Sequence, residues 1–100
     1  MSIILWDIIN KKMLRGYVSM KTRKQAYGDK NLVGKNIERI RKSKGITQRD
    51  FVAQMQIMGC DMNLTSYSKL EGQIRSVADK ELLVISNILG VAIEELFDKQ

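Results

Sequence analysis

The sequence predicts an all-α domain of five short helices preceded by an N-terminal extension, and three observations carry that prediction. Proline is absent from all 100 residues, so no helix is broken by a residue lacking an N–H. Apolar residues recur at spacings of three to four between segments that end in glycine, as in helices that bury one face. No Asn-Gly or Asp-Gly pair separates alternating apolar runs, so a hairpin signal is missing. A chain of this length builds one modest core and has no room for a second, catalytic domain within it. The helical domain is expected over residues 32–98, with residues 1–31 as the extension.

Seventeen Lys and Arg against eleven Asp and Glu give a formal net charge of +6 and a pI near 9.6, a balance that favours polyanionic partners. The extension carries Lys11, Lys12, Arg15, Lys21, Arg23, Lys24 and Lys30 against Asp7 and Asp29, which is five of the six net charges. The helical domain is therefore nearly neutral, and any affinity for an anion must come from a local basic face. Cys60 is the single cysteine and histidine is absent, which excludes an internal disulfide and argues against a zinc site. A reduced, cytoplasmic setting with no cofactor is expected. Catalysis is not expected: there is no histidine, no phosphate-cradling glycine loop, no evident carboxylate pair and no base beside the lone thiol.

Within the extension, Ile4, Leu5, Ile8 and Ile9 can share one face of a short helix, with Trp6 nearby and Lys11 and Lys12 in its last turn. A helix so short needs a surface to dock on, and protein rather than membrane is the expected one. Residues 3–9 are too short to span a bilayer, and their basic residues follow the apolar part, unlike a signal peptide. A plainer account of the same stretch places the start of translation at Met13 or Met20. From Gly16 to Lys30 the composition is polar and basic, as in a linker, a solvated tail or an arm that adds phosphate contacts.

The first helix is predicted over residues 31–44, from Val33, Ile37 and Ile40 at helical spacing, with Gly45 as its stop. Thr47 is the expected N-cap of the second helix, with Asp50 three residues on and Ile46 and Phe51 at the positions of a hydrophobic staple. Phe51, Val52, Met55 and Met58 form its expected buried stripe, and Gly59 ends it. Asn63 repeats the device as N-cap of a third helix over residues 64–71, with Met62 and Tyr67 as its staple. Tyr67 and Leu70 face the core there, leaving Leu64, Thr65, Ser68 and Lys69 on other faces. Residues 74–78 connect to a fourth helix with the stripe Leu82, Ile85 and Leu89 and the stop Gly90. A short fifth helix holds Ile93, Leu96 and Phe97. The methionine-bearing stripe of the second helix reads as core rather than as a ligand site.

Five fragments in this order, VGKNIERIRKSKGITQ, FVAQM, TSYSKLEG and the two helices within ELLVISNILGVAIEELF, resemble the lambda-repressor-like, or XRE-type, DNA-binding domains of phage repressors, Cro proteins and small bacterial regulators. The resemblance covers residues 33–97. The connection MQIMGCDMN is longer than usual and is similar to a subgroup whose second helix gains about a turn. The resemblance implies a helix-turn-helix whose third helix enters the major groove of double-stranded DNA. It implies base contacts from Leu64, Thr65 and Lys69, phosphate or supporting contacts from Ser66 and Ser68, and a Gln48 that touches the DNA backbone and buttresses the readers. Arg41 and Glu71 match a pair that, in several members, forms an ion pair between the first helix and the end of the third.

Four departures accompany the match. Leu64 stands where a polar residue is common, and Tyr67 replaces an aliphatic core residue and so needs a partner for its hydroxyl if buried. Gly72 and Gln73 reverse the usual order that puts glycine second, and Ala78 and Ala92 stand where hydroxyl caps are common, so the fourth and fifth helices should start less firmly. Lys35, Arg39, Lys42, Arg49 and Arg75 are the candidates for phosphate contacts. The expected function is a homodimeric, sequence-specific transcriptional repressor on a palindromic site. The alternative is an antitoxin-like or other interaction module that binds a protein partner through residues 1–19.

Overall fold

The computed structural model describes Arg23 and residues 25–98. The predicted apolar helix around Ile4–Ile9 and the candidate partner segment 1–19 lie outside these. Among the described residues there are five helices and no strand: α1 (Gly34–Ser43), α2 (Gln48–Ile57), α3 (Leu64–Glu71), α4 (Asp79–Leu89) and α5 (Ile93–Leu96). One core joins them, made of Val33 and Ile37 from the start of α1, Phe51, Val52 and Met55 from α2, Met62 from the connection, Tyr67 and Leu70 from α3, Ile85 and Leu89 from α4, and Leu96 from α5. Ile46 packs against it, so the residues of both predicted staples, Ile46 and Phe51, Met62 and Tyr67, gather at the one core.

Helix starts follow local chemistry. The Thr47 hydroxyl accepts the Asp50 N–H at 3.1 Å and the Asn63 carboxamide accepts the Ser66 N–H at 2.8 Å. The starts of α4 and α5 are better held than their alanines suggest. Glu81 accepts the Ala78 N–H at 3.0 Å and Glu95 accepts the Ala92 N–H at 2.7 Å, which is the half of a capping box that needs no hydroxyl. Two expectations fail at helix ends. Met58, expected in the buried stripe, is 46% exposed because α2 ends at Ile57 and the chain turns off the helix there, and Phe97, expected within the last helix, is its C-cap after Leu96 and is exposed. Gly59, at φ +86°, completes that turn after α2, and Met62 supplies the core contact further on.

Among the described residues before α1, Gly28, Lys30 and Asn31 are bonded to the helical domain rather than free as in a linker or solvated tail. The Gly28 N–H donates to the Gly72 carbonyl and the Lys30 N–H to the Gln73 carbonyl, both at 2.8 Å. Asn31 does more. Its carboxamide oxygen accepts the N–H groups of Val33 and Gly34, capping α1, while its nitrogen donates to the carbonyls of Leu70 and Arg75. One side chain thus joins the start of α1 to the end of α3. Gly34 lets the two approach: a Cβ there would sit 2.4 Å from the Leu70 carbonyl oxygen. At the other end of the fold Asn36, buried in α1, donates to the carbonyls of Leu96 and Asp98 and closes α5.

The reversed glycine order has a visible consequence. The left-handed position after α3 falls on Gln73, at φ +60°, at a cost of about 1 kcal/mol for a residue with a Cβ. Its side chain offsets this by accepting the Lys35 N–H in the first turn of α1 and donating to the Gly28 carbonyl.

Asn31→Ala removes the α1 cap and both cross-links to α3. Urea unfolding should show a loss of about 2–3 kcal/mol; a loss below 0.5 kcal/mol would mean that water replaces these bonds without penalty.

Candidate functional site

The α3 backbone lies close to α1 and α2 and not to α4 or α5, whose side chains it meets only in the common core. Its buried side is Tyr67, Leu70 and Glu71. On the opposite side Leu64, Thr65 and Lys69 are exposed, with Leu64 at 41%, while Ser66 and Ser68 are half-buried at the edges. Spacing explains the stripe, since residues 65 and 69 are one turn apart and residue 64 is adjacent. Two of these three exposed side chains are a lysine and a threonine, able to donate to an external acceptor, and Leu64 adds an apolar surface beside them.

What holds this face in place is a carboxylate. Glu71, the last residue of α3 and fully buried, accepts from Arg41 Nε at 2.6 Å and Nη2 at 2.9 Å, and from Gln48 Nε2 at 2.9 Å. Arg41 comes from α1 and Gln48 opens α2, so one group ties three helices together. Arg41 also donates from Nη1 to the Ile46 carbonyl, 2.7 Å away, at the entry to α2. Burial opposes the guanidinium charge, but the bonds and charge of Glu71 outweigh it and hold Arg41 above its ordinary pKa. A bidentate, dry pair of this kind costs about 3–5 kcal/mol when one partner is removed. Gln48 meets the end of α3 and not Leu64, Thr65 or Lys69, so any buttressing it does acts through the helix as a body.

Tyr67 stacks on Phe51, with ring centroids 5.1 Å apart and planes 29° apart. Its hydroxyl is buried beside Glu71 and Arg41, and no hydrogen bond of normal geometry reaches it among the described residues. Burial first, then the Glu71 charge, pushes the phenol far above its usual pKa.

The five basic candidates divide. Arg39 and Arg49 are exposed and form no ion pair among the described residues, as is also true of Lys69. On α1, Lys35, Arg39 and Lys42 fall at i, i+4 and i+7 and so share one face. Lys35 places its ammonium 5.7 Å from the centre of the Tyr27 ring, and Lys42 lies 3.8 Å from Glu38. Arg75 is different. Its guanidinium donates to both oxygens of Glu81, at 3.1 and 2.8 Å, and to the Ser66 carbonyl at 3.1 Å, so it is an internal link rather than a free cation.

Sequence reasoning missed the cluster around Glu38. This buried carboxylate accepts from Arg23 Nη2 at 2.9 Å and from the Tyr27 hydroxyl, and Arg23 lies over the Tyr27 ring. Burial alone would raise the Glu38 pKa, but the bonds from Tyr27 and Arg23 and the nearby cations hold it below the ordinary carboxylate range. The only local signal was Lys42 four residues on; Arg23 and Tyr27 come from a stretch with no periodicity. Among the described residues no three His, Cys, Asp or Glu side chains could hold a metal, and no helix is long and apolar enough to cross a membrane.

No protein-family model, curated protein or solved structure matches the chain.

Two measurements check this electrostatic picture. Tyr67→Phe removes an unsatisfied hydroxyl and should raise the unfolding free energy by about 1 kcal/mol; a loss of that size would show that the hydroxyl bonds Glu71. Glu38, with its folded pKa depressed, contributes stability that is fully present above the ordinary value of 4.5 and lost as pH falls through the lower folded value. Glu38→Gln should therefore lower Tm at neutral pH and flatten its decline below about pH 4.5. Parallel Tm curves for the two proteins would contradict that assignment.

Proposed function

We propose that this chain is a sequence-specific double-stranded DNA-binding protein of the lambda-repressor-like type, acting in the cytoplasm as a small transcriptional repressor. The observation that carries the reading is α3. It is an eight-residue helix buried on one side against α1 and α2, anchored at its end by Glu71, and open along Leu64, Thr65 and Lys69. In this reading α2, the connection and α3 form a helix-turn-helix, and α3 lies in the major groove, about 12 Å wide and wide enough for a helix.

The three exposed side chains would divide the work by chemistry. Lys69 donates to guanine O6 and N7, and Thr65 or Leu64 packs on a thymine methyl. Leu64 cannot form a hydrogen bond at the place where a polar reader is common, so much of the affinity comes from phosphates and DNA shape. Lys35, Arg39, Lys42 and Arg49 are the phosphate candidates, with Gln48, Ser66 and Ser68 in support. Arg75 leaves that set because its guanidinium is bound internally. The chain acts as a homodimer, with one α3 in each half of a palindromic site and half-sites about 34 Å apart. No cofactor enters the scheme.

Selection of bound duplexes from a random pool tests the reading directly and should enrich a palindrome. On the enriched site, Lys69→Ala should weaken binding by about 1–3 kcal/mol and relax the preference at one base pair. An equal loss on enriched and random duplexes would remove Lys69 from base readout, and a pool with no enriched motif would overturn sequence-specific binding.

A further inference from the structure

The internal bonds of Arg75 bear on α3 at the end opposite Glu71. Arg75 Nε donates to the carbonyl of Ser66, in the first turn of α3, at 3.1 Å, and Nη2 approaches the Met62 sulfur just before that helix at 3.6 Å. The same guanidinium grips the Glu81 carboxylate with two bonds, and Glu81 is also the group that accepts the Ala78 N–H and so caps α4. The carbonyl of Arg75 accepts from Asn31 at 2.8 Å, which ties this residue to the cap of α1. No Cα of α3 lies within 8 Å of a Cα of α4, although side chains of both helices enter the common core. The guanidinium is thus a polar link between the start of α3 and the start of α4.

We infer that Arg75 and Glu81 form a positioning pair that sets the angle at which the N-terminal half of α3, bearing Leu64 and Thr65, is presented, and hence tunes base preference without touching DNA. The inference rests on the DNA-binding reading above. Its physical basis is the two-sided support of a short helix. Glu71 pins the C-terminal end through Arg41 and Gln48, and Tyr67 holds the middle of the helix on Phe51, but Leu64, Thr65 and Ser66 of the first turn lie outside the core. Arg75 supplies the second support, and a planar fork is needed because three acceptors on two helices must be met at once. A lysine has a single side-chain nitrogen and cannot reproduce the separate Nε, Nη1 and Nη2 bonds.

The test uses the full chain with Arg75→Lys and Glu81→Gln. The lysine keeps the charge and loses the fork; the glutamine keeps an oxygen for the Ala78 N–H and loses the charge pair. Amide exchange is expected to show reduced protection at Ser66 and Tyr67, whose N–H groups bond Asn63 at the start of α3, in both variants. The ratio of affinities for the selected and a random duplex should fall roughly two- to thirtyfold, the range for residues that act on a binding site without contacting the ligand. Random-duplex affinity of Arg75→Lys should stay within about twofold, with an unchanged salt slope.

Unchanged exchange at Ser66 and Tyr67 would overturn the positioning role. So would a Glu81→Gln chain that binds both duplexes more tightly with a salt slope steeper by about one, since that marks an Arg75 released to contact phosphate. A wild-type chain without duplex preference overturns the DNA reading and with it the specificity role. The exchange data then still decide whether the pair holds α3.

Discussion

The Glu71 carboxylate is the constraint on which the arrangement of α1, α2 and α3 depends. It sits at the end of one helix, fully buried, and receives Arg41 from the second and Gln48 from the third. Buried ion pairs do not add much to stability relative to a well-packed apolar core of the same volume, but removing one partner strands a charge. That asymmetry makes the pair a geometric device. Any rotation of α3 that parted Glu71 from Arg41 would strand charge in the interior, so the pair fixes the C-terminal end of α3 while the other side of the helix stays open to solvent.

The residues before α1 reinforce the same point. Gly28 and Lys30 pair with the backbone just after α3, Asn31 bridges α1 and α3, and Gln73 accepts strain in its backbone while its side chain bonds both segments. The polar composition of this stretch had suggested a linker. In the fold its polarity serves backbone groups left over at two helix ends, which is where capping donors and acceptors are needed. Glu38 extends the network to Arg23 and Tyr27, so the described part of the extension is bound to α1 by charge and to the residues after α3 by backbone bonds.

The basic charge of the chain is divided by these commitments. Arg23, Arg41 and Arg75 each answer a buried or half-buried carboxylate, whereas Arg39, Arg49 and Lys69 face solvent and form no ion pair among the described residues. Net charge therefore overstates what an anionic partner meets on the helical domain, and the few uncommitted cations matter more individually. The division follows a physical rule: arginine is selected where several acceptors must be met in one plane.

The five helices were legible because their signals are short in range. Thr47, Asn63, Gly45, Gly59 and Gly90 mark helix ends through bonds or dihedral angles spanning at most a few residues, and the stripes Phe51, Val52, Met55 and Ile85, Leu89 follow from periodicity alone. The exposed set Leu64, Thr65 and Lys69 followed from the same periodicity once Tyr67 and Leu70 were placed inward. The Arg41–Glu71 contact was suggested by a family resemblance, since a separation of 30 residues carries no local signal. Tertiary structure alone decided that Asn31 reaches Arg75 across 44 positions, that Arg75 is bound by Glu81, that Arg23 and Tyr27 close on Glu38, and that Met58 and Phe97 point outward. Each of these depends on where distant helix ends meet, and no pattern within a single helix encodes that meeting.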